Sequence, residues 1–131
     1  MKIRVGAVAI TLAVGVLLTL GYLVVAKSLL SKKNESIIMI PKTIDPHVEF
    51  WQVLNQGVLA AAKEYNAEIK IMGTTSESQI DEQIKLVEQA IAEKPKAIIL
   101  AATDYNRLVP AAQQVIDAGI TLITVDSGLE G

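Results

Sequence analysis

The sequence predicts an α/β fold in which helices alternate with the strands of one parallel sheet. Four short apolar runs are separated by three stretches of helical periodicity, the alternation typical of such folds. The first and third runs are apolar throughout, as strands buried on both faces are, whereas the second alternates polar and apolar residues like an edge strand. We therefore predict a partial doubly wound sheet, βαβαβαβ, with strand order 2-1-3-4, right-handed crossovers and helices on both faces. The four runs are 36–41, 68–73, 97–101 and 120–125.

The first predicted helix follows the run at 36–41. Apolar or small residues recur along it with the i, i+3, i+4, i+7 spacing that places them on one helical face. We predict that this face packs on the sheet, and that Gly57, which has no side chain, allows a close approach. The stripe consists of Phe50, Val53, Leu54, Gly57, Val58, Ala61 and Tyr65.

Two further helices have apolar stripes and end signals of their own. Ser78 with Asp81 is predicted to cap the N-terminus of the second helix, and Pro95 to terminate it. Gly119 suits the left-handed C′ position that ends the third helix. The second stripe is Ile80, Ile84, Val87 and Ile91, and the third is Leu108, Ala111, Ala112 and Val115.

An uncharged apolar segment at 5–26 precedes the α/β region. As a helix it would be about 33 Å long, which is sufficient for the hydrocarbon core of a bilayer. We interpret residues 1–35 as a cytoplasmic N-terminus, a transmembrane anchor and a linker. A cleaved signal peptide is the alternative, although its apolar core is typically only about 7–15 residues long. Positive charges flank both ends equally, so charge leaves the orientation open.

The composition argues against several classes of function. The net charge is −2, whereas nucleic acid binding favours a basic surface. There is no cysteine, which excludes disulfides, thiolate metal sites and a cysteine nucleophile, and His47 is the single histidine. No glycine-rich phosphate loop and no G-x-S-x-G elbow occur. We therefore expect no cofactor, no metal and no enzyme active site.

The predicted strand order creates a crevice at the carboxyl edge of the sheet. The direction of winding reverses between strands 1 and 3, and ligands of open α/β sheets bind beyond the strand ends at such a point. The polar residues that follow strands 1, 3 and 4 are expected to face this crevice. They are Lys42, Thr43, Thr103, Asp104, Asp126 and Ser127.

Asp126 is the main candidate for ligand binding. A carboxylate accepts hydrogen bonds from two adjacent hydroxyl groups at once, which suits a sugar. Ser127 would add a donor, and Lys42 would pair with an anionic or carbonyl-bearing ligand. The structural alternatives are a turn cap for Asp126, a turn-shaping role for Ser127 and a solvated Lys42. Asp104 is expected mainly to cap the third helix.

Two adjacent aromatic residues, Phe50 and Trp51, lie just inside the first predicted helix. Aromatic rings pack against the C–H faces of sugars, so both are candidate ligand contacts. Phe50 lies on the apolar stripe, which also favours a place in the core. Trp51 lies off that stripe, so packing of the stripe in the core does not explain its presence. His47, in the preceding loop, is expected to be exposed.

With these residues in view, the sequence from 36 to 131 resembles the type I periplasmic sugar-binding proteins of ABC uptake systems. That family includes ribose- and autoinducer-2-binding proteins. The resemblance rests on four pieces in order, namely the strand and loop at 38–42, the aromatic pair seven and six residues before Gly57, the helical segment 60–64, and the segment from 118 to 127. It implies that Phe50 and Trp51 contact the sugar and that Asp126 binds its hydroxyl groups. Lys42 matches a ligand-contacting lysine of the autoinducer-2 branch.

The resemblance also implies a function and a location. Residues 36–131 correspond to an incomplete first lobe of an extracytoplasmic protein that binds a sugar or sugar-like ligand for the permease of an ABC importer. The chain is thus expected to be truncated. Because family members are exported, we expect the N-terminus inside and the α/β region outside, in the periplasm or at the cell surface. The alternative is a ligand-sensing extracytoplasmic domain of a transmembrane signalling protein.

Overall fold

The structure is a computed structural model of the chain, and it describes residues 14–22 and 36–129. The chain divides into two compact units, 1–33 and 34–131. In the first unit, residues 14–22 are helical with exposed side chains. Among the described residues, no helix is both long enough and apolar enough to cross a bilayer. The remainder of the predicted anchor segment lies outside the described residues.

In the second unit, the described residues 36–129 form one parallel sheet whose four strands alternate with three helices. The strands are β1 (Ile37–Ile40), β2 (Ile69–Ile71), β3 (Ala97–Leu100) and β4 (Thr121–Thr124). The helices are α1 (Glu49–Glu64), α2 (Ile80–Ala92) and α3 (Val109–Asp117). Their order in the sheet is β2-β1-β3-β4, with every pair parallel. This confirms the predicted order, with β2 at one edge and the two fully apolar strands in the centre.

One face of the sheet carries α2 and α3. Side chains of a strand alternate between the two faces, so Ile38 and Ile40 of β1 point to the same side as Ile98 and Leu100 of β3. These four residues are at most 1% exposed and form the main core with the two helices. The predicted stripes of α2 and α3 are confirmed, because their residues are buried in this core or packed against it. The core residues from these stripes are Val87, Leu108, Ala111 and Val115, with Ile80, Ile84 and Ile91 against them.

The orientation of α1 differs from the prediction. Its buried residues are Trp51 and Ala62, which lie roughly a quarter-turn around the helix from the predicted stripe. Phe50 and Val53 of that stripe are more than half exposed. A Cβ atom at Gly57 would meet nothing within 4 Å, so no close approach occurs there. The prediction is wrong because apolar residues occupy a wide arc of α1, and only one side of that arc contacts the sheet.

The helix ends agree with the prediction at one site and differ at another. Gly119 has φ +73° and donates its N–H to Ile116, while the N–H of Ile120 bonds to Val115, which is the predicted C-terminal capping pattern. No side-chain hydrogen bond caps the start of α2 at Gln79, so the predicted Ser78–Asp81 cap is wrong. Asp81 instead forms an ion pair with Arg107.

Candidate functional site

Lys42 and Asp126 meet at the carboxyl edge of the sheet. Lys42 follows β1 and Asp126 follows β4, and β3 lies between these two strands. The Nζ atom of Lys42 is 2.8 Å from Oδ2 of Asp126. The two side chains are 20% and 35% exposed, so the pair is accessible without being fully solvated. The ion pair therefore spans the end of β3, where the sequence predicted a crevice.

The backbone turns sharply at Asp126. The last hydrogen bond between β4 and β3 runs from the N–H of Val125 to the carbonyl of Leu100, at 3.0 Å. Asp126 then adopts φ +63°, and Ser127 donates its N–H back to Val125. The Ser127 hydroxyl is 3.0 Å from Oδ2 of Asp126. No hydrogen bond from the described part of the chain reaches Oδ1, which leaves an acceptor for a ligand.

The electrostatics of the pair favour an ionised carboxylate. The hydrogen bond from Lys42 lowers the pKa of Asp126 below its ordinary value, and burial opposes this shift. The hydrogen bond from Ser127 and the positive charge of Lys42 both act in the lowering direction. At neutral pH the site therefore presents a charged donor beside a charged acceptor.

Two threonines join the loop after β1, which contains Lys42, to the loop after β2. The Thr43 hydroxyl donates to the Thr74 carbonyl at 2.9 Å, and the Thr74 hydroxyl lies 2.8 Å from the Lys42 carbonyl. Thr43 is fully buried and does not face the crevice, contrary to the prediction. A Cβ atom at Gly73 would lie 2.5 Å from Cγ2 of Ile44, so the Ile44 side chain packs closely against this glycine.

Gln83 of α2 is a residue that the sequence analysis missed. It is fully buried, and its amide contacts the chain segments that leave both β1 and β3. A signal was present, because Gln83 stands three residues after Ile80 and four before Val87, on the core stripe of the helix. A polar residue at a core position needs buried hydrogen-bond partners, and here these partners lie beside the site.

Thr103 and Asp104 follow β3. The N–H of Thr103 is one of the groups that bond to Gln83. Asp104 accepts hydrogen bonds from the N–H groups of Asn106 and Arg107 at 2.9 and 2.8 Å. It therefore caps the turn that leads into α3, whereas the N-cap of the helix itself is Leu108 and has no side-chain cap.

The burial of the two adjacent aromatic residues is the reverse of what the stripe pattern predicted. Trp51 is 2% exposed, and its Nε1 donates to Oε1 of Glu77 in the loop after β2, at 2.5 Å. Phe50 is 55% exposed and packs edge-on against Trp51, with ring centroids 4.8 Å apart. Phe50 also lines an open groove of about 420 Å³ with Glu49, Val53 and Leu54. His47 is exposed, as expected.

Comparison with known proteins identifies the family. Residues 37–131 match the model of the periplasmic binding protein domain. The chain belongs to this family. The members of this family are solute-binding proteins, and the match extends over β1 to β4 together with Lys42, Asp126 and Ser127.

Individual relatives are sugar-binding proteins of transporters. The chain is 31% identical over 81 residues to the D-ribose/D-allose-binding protein of Pseudomonas aeruginosa. The aligned region covers 60% of this chain and 25% of that protein. It is also similar to the structure of a sugar transporter from Clostridium phytofermentans, with 43% sequence identity and a TM-score of 0.71. This match covers 72% of this chain and 35% of that protein. The structure of a periplasmic solute-binding protein from Actinobacillus succinogenes with bound D-allose matches with 28% sequence identity and a TM-score of 0.70. This match covers 75% of this chain and 34% of that protein.

These matches confirm the resemblance to the sugar-binding proteins of ABC transporters. They also show how much of a relative this chain represents. The chain spans between 25% and 35% of the length of the three relatives described above. The similarity therefore covers one part of a solute-binding protein, the part that contains the four-stranded parallel sheet.

Proposed function

We propose that this protein contributes one side of an extracytoplasmic binding site for a sugar or sugar-like ligand, in a solute-binding protein of an ABC-type importer. The observation that carries the proposal is the Lys42–Asp126 pair, whose charged atoms lie 2.8 Å apart beyond the ends of β1 and β4. Open α/β sheets bind ligands at this edge, where the winding reverses. The sugars named for two relatives, D-ribose and D-allose, guide the choice of ligand class.

The chemistry of the pair suits a polyhydroxy ligand. Each sugar hydroxyl both donates and accepts, so it can bridge an ammonium group and a carboxylate. Lys42 would donate to a hydroxyl oxygen, and Asp126 would accept a hydroxyl proton through Oδ1. Ser127 would add a third polar contact on the same side. Charge-assisted hydrogen bonds of this kind are stronger than those between neutral groups.

The aromatic residues would supply the apolar contact. Phe50 lies in the first turn of α1, which follows β1 and begins at the same edge as Lys42. Its exposed ring is available to a C–H face of a sugar, while the buried Trp51 supports it from the side. A direct contact between the ligand and Trp51 would require this turn to move, because that ring is only 2% exposed.

Membership of the family supports a proposal for the partner and the location. A solute-binding protein of an ABC transporter delivers its ligand to a permease outside the cytoplasmic membrane. The segment 5–26 would then direct export or anchor the chain. A sensory domain would use the same binding step, but none of the three relatives above is named as a signalling protein. Transport is therefore the role that we propose.

Ligand titration followed by NMR tests the proposal on the full chain. The ¹⁵N-labelled chain is held in micelles of a detergent without a sugar headgroup and titrated with D-allose and D-ribose. We expect the amide signals of Lys42, Asp126 and Ser127 to shift with millimolar dissociation constants, because a one-sided site buries little of its ligand. L-Allose is the control for solvent effects, since a chiral site distinguishes the two enantiomers.

A pair of variants separates the site from the surface in general. Asp126→Ala should weaken D-allose binding about tenfold, because it removes a charge-assisted acceptor that is partly exposed to water. Asp117→Ala, at the end of α3, removes an acid of equal charge at the opposite edge and should leave binding unchanged. Equal shifts with D- and L-allose, or equal loss in both variants, would refute the proposal.

A further inference from the structure

Gln83 links the two central strands through a side-chain amide that lies wholly inside the protein. Its Nε2 donates to the carbonyls of Pro41 and Ala101, at 3.1 and 2.9 Å. Its Oε1 accepts the N–H of Thr103 at 2.9 Å. Both N–H groups of the amide and its oxygen are therefore engaged, and the residue is 0% exposed.

The sheet itself does not satisfy these backbone groups. The last backbone hydrogen bond between β1 and β3 runs from the N–H of Ala101 to the carbonyl of Ile40. Beyond it, Pro41 has no N–H, and the carbonyls of Pro41 and Ala101 accept no backbone hydrogen bond from the described residues. Both residues are buried, so water offers no easy substitute. Without Gln83 the two segments would carry unsatisfied buried carbonyls and would be free to separate.

We propose that Gln83 is the positioning residue of the binding site, because it fixes the segments that leave β1 and β3 and thereby places Lys42 against Asp126. The Pro41 carbonyl belongs to the peptide unit that joins Pro41 to Lys42. A hydrogen bond to it orients that unit, and with it the direction in which the Lys42 side chain leaves the backbone. The proposal rests on the proposed function only for its effect on sugar affinity.

The first test needs no ligand. Gln83→Met keeps the length of the side chain but removes all three hydrogen bonds. The titration of the Asp126 carboxyl is followed by ¹³C NMR of the full chain in micelles. If Gln83 places Lys42, the pKa of Asp126 should rise in the variant towards its ordinary value, because the Lys42 hydrogen bond is the main cause of its lowering. Val87→Ala, four residues further along α2 and equally buried, is the matched control. It should lower stability and leave the Asp126 titration unchanged.

Gln83→Glu gives a conditional rescue and a second route if Gln83→Met does not fold. The ionised acid would point an acceptor at two carbonyls, so the segments should separate once this carboxyl is ionised. The protonated acid donates to one carbonyl and accepts the Thr103 N–H, which restores two of the three bonds. Burial raises the pKa of such a carboxyl, so recovery is expected on the acidic side of its own titration, which the same ¹³C spectra follow. The charged residues flanking its partners are Lys42 and Asp104, and on α2 the nearby acids Asp81 and Glu82 are paired with Arg107 and Lys85.

The outcomes distinguish this proposal from the function that it serves. We expect D-allose affinity to fall about tenfold in Gln83→Met and in Gln83→Glu with its carboxyl ionised, the size of one lost charge-assisted contact, and to recover in Gln83→Glu once that carboxyl is protonated. A folded Gln83→Met chain with an unchanged Asp126 titration overturns the positioning role. A wild-type chain that binds no sugar, together with a shifted Asp126 titration in Gln83→Met, overturns the proposed function and supports the positioning role.

Discussion

The two faces of the sheet are covered to different degrees. On the face that carries α2 and α3, Ile98 and Leu100 are completely buried. On the other face, which α1 covers in part, Met39 of β1 is buried, but Ile99 of β3 is partly exposed and Ile123 of the edge strand β4 is 45% exposed. The residues of α1 show the same contrast, since Trp51 is buried and its neighbour Phe50 is not. The closed face thus holds the strands in register, while the open face and the adjoining edge leave side chains accessible.

The largest effect that this contrast predicts concerns the two adjacent aromatic residues. Trp51→Ala should lower the free energy of unfolding by about 3–5 kcal/mol, because it empties a buried site and removes the hydrogen bond to Glu77. Phe50→Ala should cost less than about 1 kcal/mol, since that ring is mostly exposed. Urea unfolding followed by far-ultraviolet circular dichroism measures both variants. Tryptophan fluorescence is unsuitable, because Trp51 is the only tryptophan and Trp51→Ala removes it. Similar costs would contradict the assigned orientation of α1.

A matched pair of valines isolates the contrast from ring size. Val87→Ala on α2 should cost about 2 kcal/mol, because two methyl groups leave a fully buried site. Val53→Ala on α1 makes the same chemical change at a site that is 62% exposed and should stay within about 0.5 kcal/mol of the wild type. Urea unfolding followed by Trp51 fluorescence suits both variants. A cost for Val53→Ala as large as that for Val87→Ala would show that the open side of α1 is covered in solution.

The smallest predicted effect concerns the ion pair at the edge. Because Lys42 lowers the pKa of folded Asp126, the pair contributes stability above the ordinary pKa of an aspartate, and this contribution is lost as the pH falls through the folded pKa. Its size should not exceed about 1 kcal/mol, since the side chains are partly exposed. Lys42→Met should therefore be slightly less stable than the wild type at pH 7, and this difference should shrink as the pH falls below the ordinary pKa of an aspartate. A difference that persists unchanged in acid would show that Lys42 acts through packing.

The order of the sheet and the main core were predictable from the sequence. The apolar runs of β1 and β3 predicted central strands, and the narrow stripes of α2 and α3 predicted the closed face. The rotation of α1 about its own axis was not predictable, because the apolar arc of this helix is wider than the surface that it buries. Periodicity alone identifies such a helix but does not select the side of the arc that contacts the sheet.

The candidate site was predictable only in part. Strand order indicated that Lys42 and Asp126 share one edge, but their 2.8 Å contact depends on loop paths and on the left-handed turn at Asp126. Thr43 was expected at the crevice and is instead buried by its bond to the loop after β2. Gln83 was missed because its role depends on two carbonyls at the ends of strands far from it in sequence.

The most direct test of the proposed binding site is to locate the sugar on the protein. Isotope-filtered NOE spectra of the ¹³C,¹⁵N-labelled full chain with unlabelled D-allose report which side chains lie within about 5 Å of the ligand. If the sugar binds beside the Lys42–Asp126 pair, NOEs are expected from sugar protons to the ε-methylene of Lys42, to the β-protons of Ser127 and to the ring of Phe50. NOEs confined to the open face, at Ile123 or Val53, or no NOE at ligand concentrations that saturate the amide shifts, would contradict this binding site.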